Sequence, residues 1–190
     1  MVKKHRETKE TDISVELEIC GSGKCEIDTG VGFFDHMLNA LCKHSLMDIK
    51  LVCKGDLFID DHHSVEDCGI VLGSAIKESI YPLSCVERYG NSIVVMDEAA
   101  VECAIDLSNR PYLVYESSLN EKIGTFDSEL IREFFQALAM NAGITLHLIR
   151  LRGDNSHHIA EATFKAFAVA FRRAISKNDR MGTPSTKGVL

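Results

Sequence analysis

The sequence predicts an α/β protein (α+β type) made of two tandem, pseudo-symmetric strand-strand-helix-strand-helix halves with helices packed against sheets. Three features predict it. Segments of strict apolar/polar alternation are followed by apolar stripes of helical period. The same order of segments then recurs in the second half of the chain. Finally, "HMLNALCKHSLMDIKLVCKGD" (His36–Asp56) lies over "EFFQALAMNAGITLHLIRLRGD" (Glu133–Asp154) with one residue of slippage. The expected division is residues 1–91 for the first half, 92–180 for the second and 181–190 for a C-terminal tail, all within one domain.

Each element has its own signal. In "ETDISVELEI", Ile13, Val15, Leu17 and Ile19 share one face of a half-buried strand, and "GSG" reads as a hairpin turn into the next. "CGSGKCE" only imitates a phosphate loop, because Glu18 stands where the first glycine belongs and Cys25 replaces the Ser/Thr. Phe33–His44 carries Phe34, Met37, Leu38 and Leu41 on one helical stripe. "MDIKLVCKGD" is a strand, and a helix runs through "VEDCGIVLGSAIKESI" and stops before Pro82. The second half gives strand material in Asn91–Ser117, a helix in "DSELIREFFQALAMNA", a strand in "ITLHLIRLRGD" and a helix in "IAEATFKAFAVAFRRAI".

Composition narrows the function classes. A chain of 190 residues with 45% hydrophobic and 26% charged residues has an ordinary globular make-up. A net charge of −7 argues against a nucleic-acid or acidic-membrane binder, while leaving room for a local cationic pocket. No apolar run approaches the ~20 residues of a membrane span, and "MVKKHRETKETD" lacks a signal-peptide core. The seven cysteines form an odd set without a CxxC pair. They read as buried reduced thiols, which places the protein in the cytoplasm.

The chemistry concentrates in "DDHHSVED" (Asp60–Asp67) and "NSHHIAEA" (Asn155–Ala162), which share a His-His-x-x-Glu core. At a helix start, His62 and Glu66 share a face, and so do His157 and Glu161. His63 and His158 point roughly 100° away. Each half thus offers a two-toothed ligand pair and one single ligand aimed elsewhere, a donor set that suits Mn, Fe or Zn. Solvated helix N-termini with acids favouring the dipole are the plainer explanation of one such cluster. Its recurrence argues for two metal sites related by a pseudo-twofold axis. The repeat also marks His36 as a ligand and pairs it with Glu133, while His147 aligns with Lys50 as a structural or supporting histidine.

Taken together, "TGVGFFDHML", "DDHHSVED", "SNRPYL", "NSHHIAEATFKAF" and "PSTKGVL" resemble the imidazoleglycerol-phosphate dehydratase family of histidine biosynthesis, from about Arg6 to Leu190. The resemblance implies two Mn2+ per chain, in a homo-oligomer of 24 chains whose sites are completed by neighbouring subunits. It implies one metal held by His36, His63, His157 and Glu161, and another by His62, Glu66, His158 and the residue at Glu133, where many members have histidine. It also implies substrate contacts from Glu10, His44, Arg88, Arg110, Lys165, Ser185 and Lys187, with the tail ordering over the ligand. Arg88, Arg110, Ser185 and Lys187 supply the cationic and hydroxyl donors a phosphate needs. Lys165 stands four residues after Glu161, so a helical ion pair is the competing explanation.

The implied reaction removes water from imidazoleglycerol phosphate to give imidazoleacetol phosphate. No carbonyl acidifies the C–H to be broken. An imidazole ring facing two cations can be stabilised as imidazolate, expel the hydroxyl on the attached carbon as a diazafulvene-like species, and then lose a proton from the next carbon. Glu10 is the candidate acid–base residue, since the ligand carboxylates are engaged by metal. A dinuclear phosphoester hydrolase is the alternative enzyme, and would need its ions about 3.5–4 Å apart. A non-enzymatic metal-gated assembly module explains the histidine clusters but not Arg88, Arg110 and Lys187.

Overall fold

In the computed structural model, residues 1–119 and 121–188 are described. The first half runs β1 (Val2–Glu7), β2 (Thr11–Glu18), β3 (Cys25–Asp28), α1 (Gly32–Ser45), β4 (Asp48–Gly55) and α2 (His62–Ile80). The second runs β5 (Tyr89–Met96), β6 (Ala99–Asp106), β7 (Tyr112–Glu116), the short hairpin β8 (Lys122–Ile123) and β9 (Phe126–Asp127), then α3 (Leu130–Ala142), β10 (Thr145–Arg152) and α4 (Ser156–Ala174). The α/β class and the two similar halves are as the sequence predicts. The first half carries one more strand before its first helix than the predicted unit, and the second carries one more sheet strand and the short β8–β9 hairpin.

The two four-stranded sheets share a topology. Their orders are β1-β2-β4-β3 and β5-β6-β10-β7. The first three strands of each are antiparallel, and the last pair is parallel. The "GSG" segment is therefore not a hairpin turn. β4 lies between β2 and β3, and the connection crosses its end. There the Asp48 carboxylate accepts hydrogen bonds from the N–H groups of Ser22 (2.7 Å) and Lys24 (2.9 Å).

Helices α1 and α2 lie against the first sheet, and α3 and α4 against the second. The helix layers then meet, α1 on α4 and α2 on α3. The seam is filled by buried phenylalanines: Phe34 meets Phe134 edge-on with centroids 5.2 Å apart, and Phe134 stacks on Phe164 at 5.4 Å. Close approach of α2 to α3 depends on Gly69 and Gly73. A Cβ at Gly73 would lie 2.6 Å from the Leu138 carbonyl oxygen.

One cysteine expectation fails. Cys25 and Cys42 form a disulfide with Cα atoms 6.1 Å apart, because β3 runs beside α1 and brings together residues 17 apart in sequence. Cys53, Cys68 and Cys103 are free and buried, as expected, while Cys20 is free and exposed.

Candidate metal centre and anion pocket

Both His-His-x-x-Glu motifs open helices. At the start of α4, the Asn155 side chain accepts from the N–H groups of His157 (2.9 Å) and His158 (3.3 Å). At α2, Asp60 accepts from His62 N–H at 2.8 Å. Not all the acids of "DDHHSVED" face a metal position. Asp67 is buried and pairs with the Arg6 guanidinium and the Thr11 hydroxyl, tying α2 to β1 and β2.

One three-ligand cluster forms among the described residues: His36, His157 and Glu161, with their ligand atoms all within 4.8 Å of one another. Both imidazoles converge on a single oxygen, with His36 Nε2 and His157 Nε2 each 3.4 Å from Glu161 Oε2. The other oxygen holds Lys165 Nζ at 2.6 Å. Burial pushes the Glu161 carboxyl up, but Lys165 and His36 outweigh it and hold the group below its ordinary value. Lys165, expected against the substrate, thus makes the helical ion pair with Glu161. His44 lies at the other end of α1, where burial and then Lys165 and Arg172 keep its imidazole below the usual value.

The corresponding set in the other half is open. His62 Nε2 and Glu66 Oε2 are 3.6 Å apart. Glu133 joins no three-ligand cluster among the described residues. It accepts from Arg132 at 3.2 Å and borders a cavity of about 760 Å³ with Lys122, Asp127 and Arg132.

The single histidines lie apart from both sets. His63 Nδ1 meets Asp56 Oδ2 at 3.0 Å, and its Nε2 faces Glu10 Oε1 at 3.8 Å. His158 Nδ1 meets Glu98 Oε2 at 2.8 Å. Asp56 and Glu98 raise these imidazoles above their ordinary values. The His158 contact, with the Asn155 N–H, draws Glu98 down to about 2. His147 stands on the outer face of β10, half-buried and paired in register with Ala104 and Val114, and it is in no three-ligand cluster among the described residues.

The predicted phosphate residues gather elsewhere. Arg88, Arg110, Ser185 and Lys187 line one cavity of about 410 Å³ together with Tyr89, Ser108, Asn109 and Thr186. The tail is placed there by Arg88, whose Nη1 donates to the Pro184 carbonyl at 2.7 Å. Arg88 also grips Asp106 with two bonds of 2.7 and 3.0 Å. Its charge is thus largely met within the chain, whereas Arg110 is exposed and only 3.9 Å from Asp106 through one nitrogen. Sequence reasoning missed Asp56, Glu98 and Asp106. Asp106 precedes Arg110 by four residues, a spacing that marks an ion pair only on a helix, and here it ends a strand.

A duplicated sandwich with imidazoles and a carboxylate converging at a helix seam, and with a separate cation-lined pocket, defines a metal-binding enzyme of small anionic substrates. Comparison with known proteins makes the class particular. Residues 29–171 match the model of the family "Imidazoleglycerol-phosphate dehydratase". The chain is 68% identical to the imidazoleglycerol-phosphate dehydratase of Campylobacter hominis and 65% identical to that of Aliarcobacter butzleri, in each case over 100% of both chains. It resembles the crystal structure of the Staphylococcus aureus enzyme with TM-score 0.83 at 40% identity, covering 93% of this chain and 98% of that one. The Pyrococcus furiosus structure matches with TM-score 0.86 at 39% identity, covering 98% and 100%. The chain belongs to the imidazoleglycerol-phosphate dehydratase family, hydro-lyases of histidine biosynthesis.

Proposed function

We propose that this chain dehydrates imidazoleglycerol phosphate at sites completed between copies of itself, with two Mn2+ per chain in a 24-chain particle. The observation that carries the reading is a matched gap. The trio His36, His157, Glu161 stands without His63, and the pair His62, Glu66 stands without Glu133 and His158. In both, the single histidine that points off the shared helix face is missing. A symmetric assembly fills such gaps by the same contact repeated. Glu133 enters its set by turning from Arg132. An imidazole and carboxylate donor set fits manganese, and the three ligands already within reach of one another need little reorganisation to hold it. Cations facing the two nitrogens of the substrate ring would offset the negative charge it gains on losing its proton.

The chain's own residues supply the rest. Arg110 and Lys187 bind the phosphate, and Arg88 holds the tail over it through Pro184. Glu10, beside His63, takes the proton from the carbon next to the one that loses hydroxyl. Closure of the tail excludes water from the ring. The outer face of the second sheet is the surface through which copies associate. A cytoplasmic setting suits a biosynthetic enzyme of this family.

Complementation tests sharing directly. His63→Ala and His157→Ala chains are each expected to be inactive alone. Mixed and reassembled with Mn2+, they regain activity, because one supplies the trio and the other supplies His63. An inactive mixture of correctly assembled particles would show that each site is built from a single chain.

A further inference from the structure

In each half, the single histidine of the motif has its Nδ1 against a carboxylate. His63 Nδ1 stands 3.0 and 3.2 Å from the two Asp56 oxygens, and His158 Nδ1 stands 2.8 Å from Glu98 Oε2. The other ligand histidines are held differently: His36, His62 and His157 face Glu161 or Glu66 through Nε2. An ionised carboxylate only accepts, so a neutral imidazole beside it carries its proton on Nδ1 and keeps the lone pair on Nε2. We infer that Asp56 and Glu98 are positioning residues, which fix the tautomer and ring direction of His63 and His158 so that each offers Nε2 to a cation held by another copy. The inference rests on the reading that these two histidines are metal ligands.

The two carboxylates reach the same nitrogen from unrelated places in the fold. Asp56 follows Gly55 at the end of β4, and its repeat counterpart is Asp154, which follows Gly153 at the end of β10. Asp154 does not take the matching role. Its backbone N–H, at 3.3 Å, and that of Asn155, at 2.9 Å, donate to Glu98 Oε1. Glu98 comes from the turn between β5 and β6. One of its oxygens is thus anchored to the loop before α4, and the other is left for the imidazole. Asp56 is fixed by burial instead, with its side chain only 13% exposed. A ligand on a helix pair is aimed by its backbone and its i+4 partner. The single histidine has no such partner, so an outside acceptor must set its ring, and each half supplies one by its own route.

The test uses the full chain and Mn2+ alone. Asp56→Ala and Glu98→Ala should each weaken Mn2+ binding by about 10–100-fold in calorimetric titration. Asp56→Asn and Glu98→Gln, near-isosteric and still able to accept from Nδ1, should recover most of that loss. In metal-free protein with 15N-labelled histidine, at a pH where the imidazoles are neutral, each alanine variant should lose one Nδ1–H tautomer signal. His63→Ala and His158→Ala separate the two levels of the argument. If they bind Mn2+ as the parent does, the ligand reading falls and the inference with it. If they lose metal while the Asp56 and Glu98 variants keep parental affinity and tautomers, the carboxylates merely brace the fold and the inference alone is overturned.

Discussion

The outer faces of the two sheets belong to one topology and differ in chemistry, the first carrying rows of paired charges and the second setting exposed aliphatic residues among polar ones. On the first sheet, one row across the strands reads Lys3, Glu16, Lys50, Glu26, with ion pairs Lys3–Glu16 at 2.9 Å and Lys50–Glu26 at 3.0 Å. On the second, the matching row reads Ile93, Glu102, Ile149, Glu116, and the next reads Asn91, Ala104, His147, Val114. There Ile93 and Val95 stand 62% and 68% exposed. A row of ion pairs keeps its hydration, whereas exposed isoleucine and valine side chains set among polar ones leave apolar area in water that a partner surface can cover. The edge strands repeat the contrast. β1 docks on α2 through Lys4–Glu78 and Arg6–Asp67, while β5 docks on α4 by backbone closeness, with Gly90 under Ala170 and Ala174. The two halves keep one scaffold and differ in what their outer faces present, paired charges on the first and exposed aliphatic side chains on the second.

The largest effect expected from this contrast is on assembly. Ile93→Asp with Val95→Asp should split the particle, since interface anchors lost from a buried centre cost about 2 kcal/mol or more each and the loss repeats at every contact. Light scattering should show smaller particles, and activity should fall with particle size. Lys3→Ala with Lys50→Ala on the first sheet should leave both unchanged. An intact particle in the aspartate variant would end the assignment of this face to self-association.

Next come the edges. Gly90→Ala puts a methyl into the α4 backbone and should cost about 1–3 kcal/mol by overpacking. Arg6→Ala leaves Asp67, buried, with the Thr11 hydroxyl as its remaining partner, at about 1–3 kcal/mol. Urea melts separate the mechanisms: in an Asp67→Asn background the Arg6→Ala loss should shrink while the Gly90→Ala loss stays the same. An equal change in both would erase the distinction between an ionic and a packed edge.

The smallest effect is local. The N–H groups of Lys24 and Ser22 hold the Asp48 carboxyl below its ordinary value. A depressed carboxylate contributes stability above its unfolded value, ~3.9, and loses it as pH falls through the lower folded one. Protection of the Ser22 and Lys24 amides from hydrogen exchange should hold at pH 5 and fade below about pH 4. No amide of the second sheet should follow that profile.

What the sequence made legible is whatever has a period. The stripe Phe34, Met37, Leu38, Leu41 and the alternation Ile13, Val15, Leu17 locate elements because burial follows helix and strand geometry. The repeat marked His36 as a ligand because both halves thread the same way, and its place with Glu161 came from the family resemblance. Strand β1 was missed because only Val2 of its inward residues is apolar; the other two, Lys4 and Arg6, are held by ion pairs to α2 and leave no apolar alternation. The order of β3 and β4 was missed because "GSG" gives the same turn signal whether or not its flanking strands pair. Glu98 was illegible for a related reason: its task depends on a hairpin tip meeting a loop 56 residues away.

The three-ligand cluster also says something about ancestry. His36 stands on α1, whereas His157 and Glu161 stand on α4, so a protein made of one half alone would contain no such trio. Two copies of that half, docked as α1 on α4, would contain two. In a forebear of half this length, metal capture and pairing would have been one event, and the cation would have acted as a clasp before it served a reaction. The connection through Tyr81–Arg88 made that clasp permanent, and freed the two copies of each motif to drift apart, as Glu133 against His36 and Asp154 against Asp56 now record.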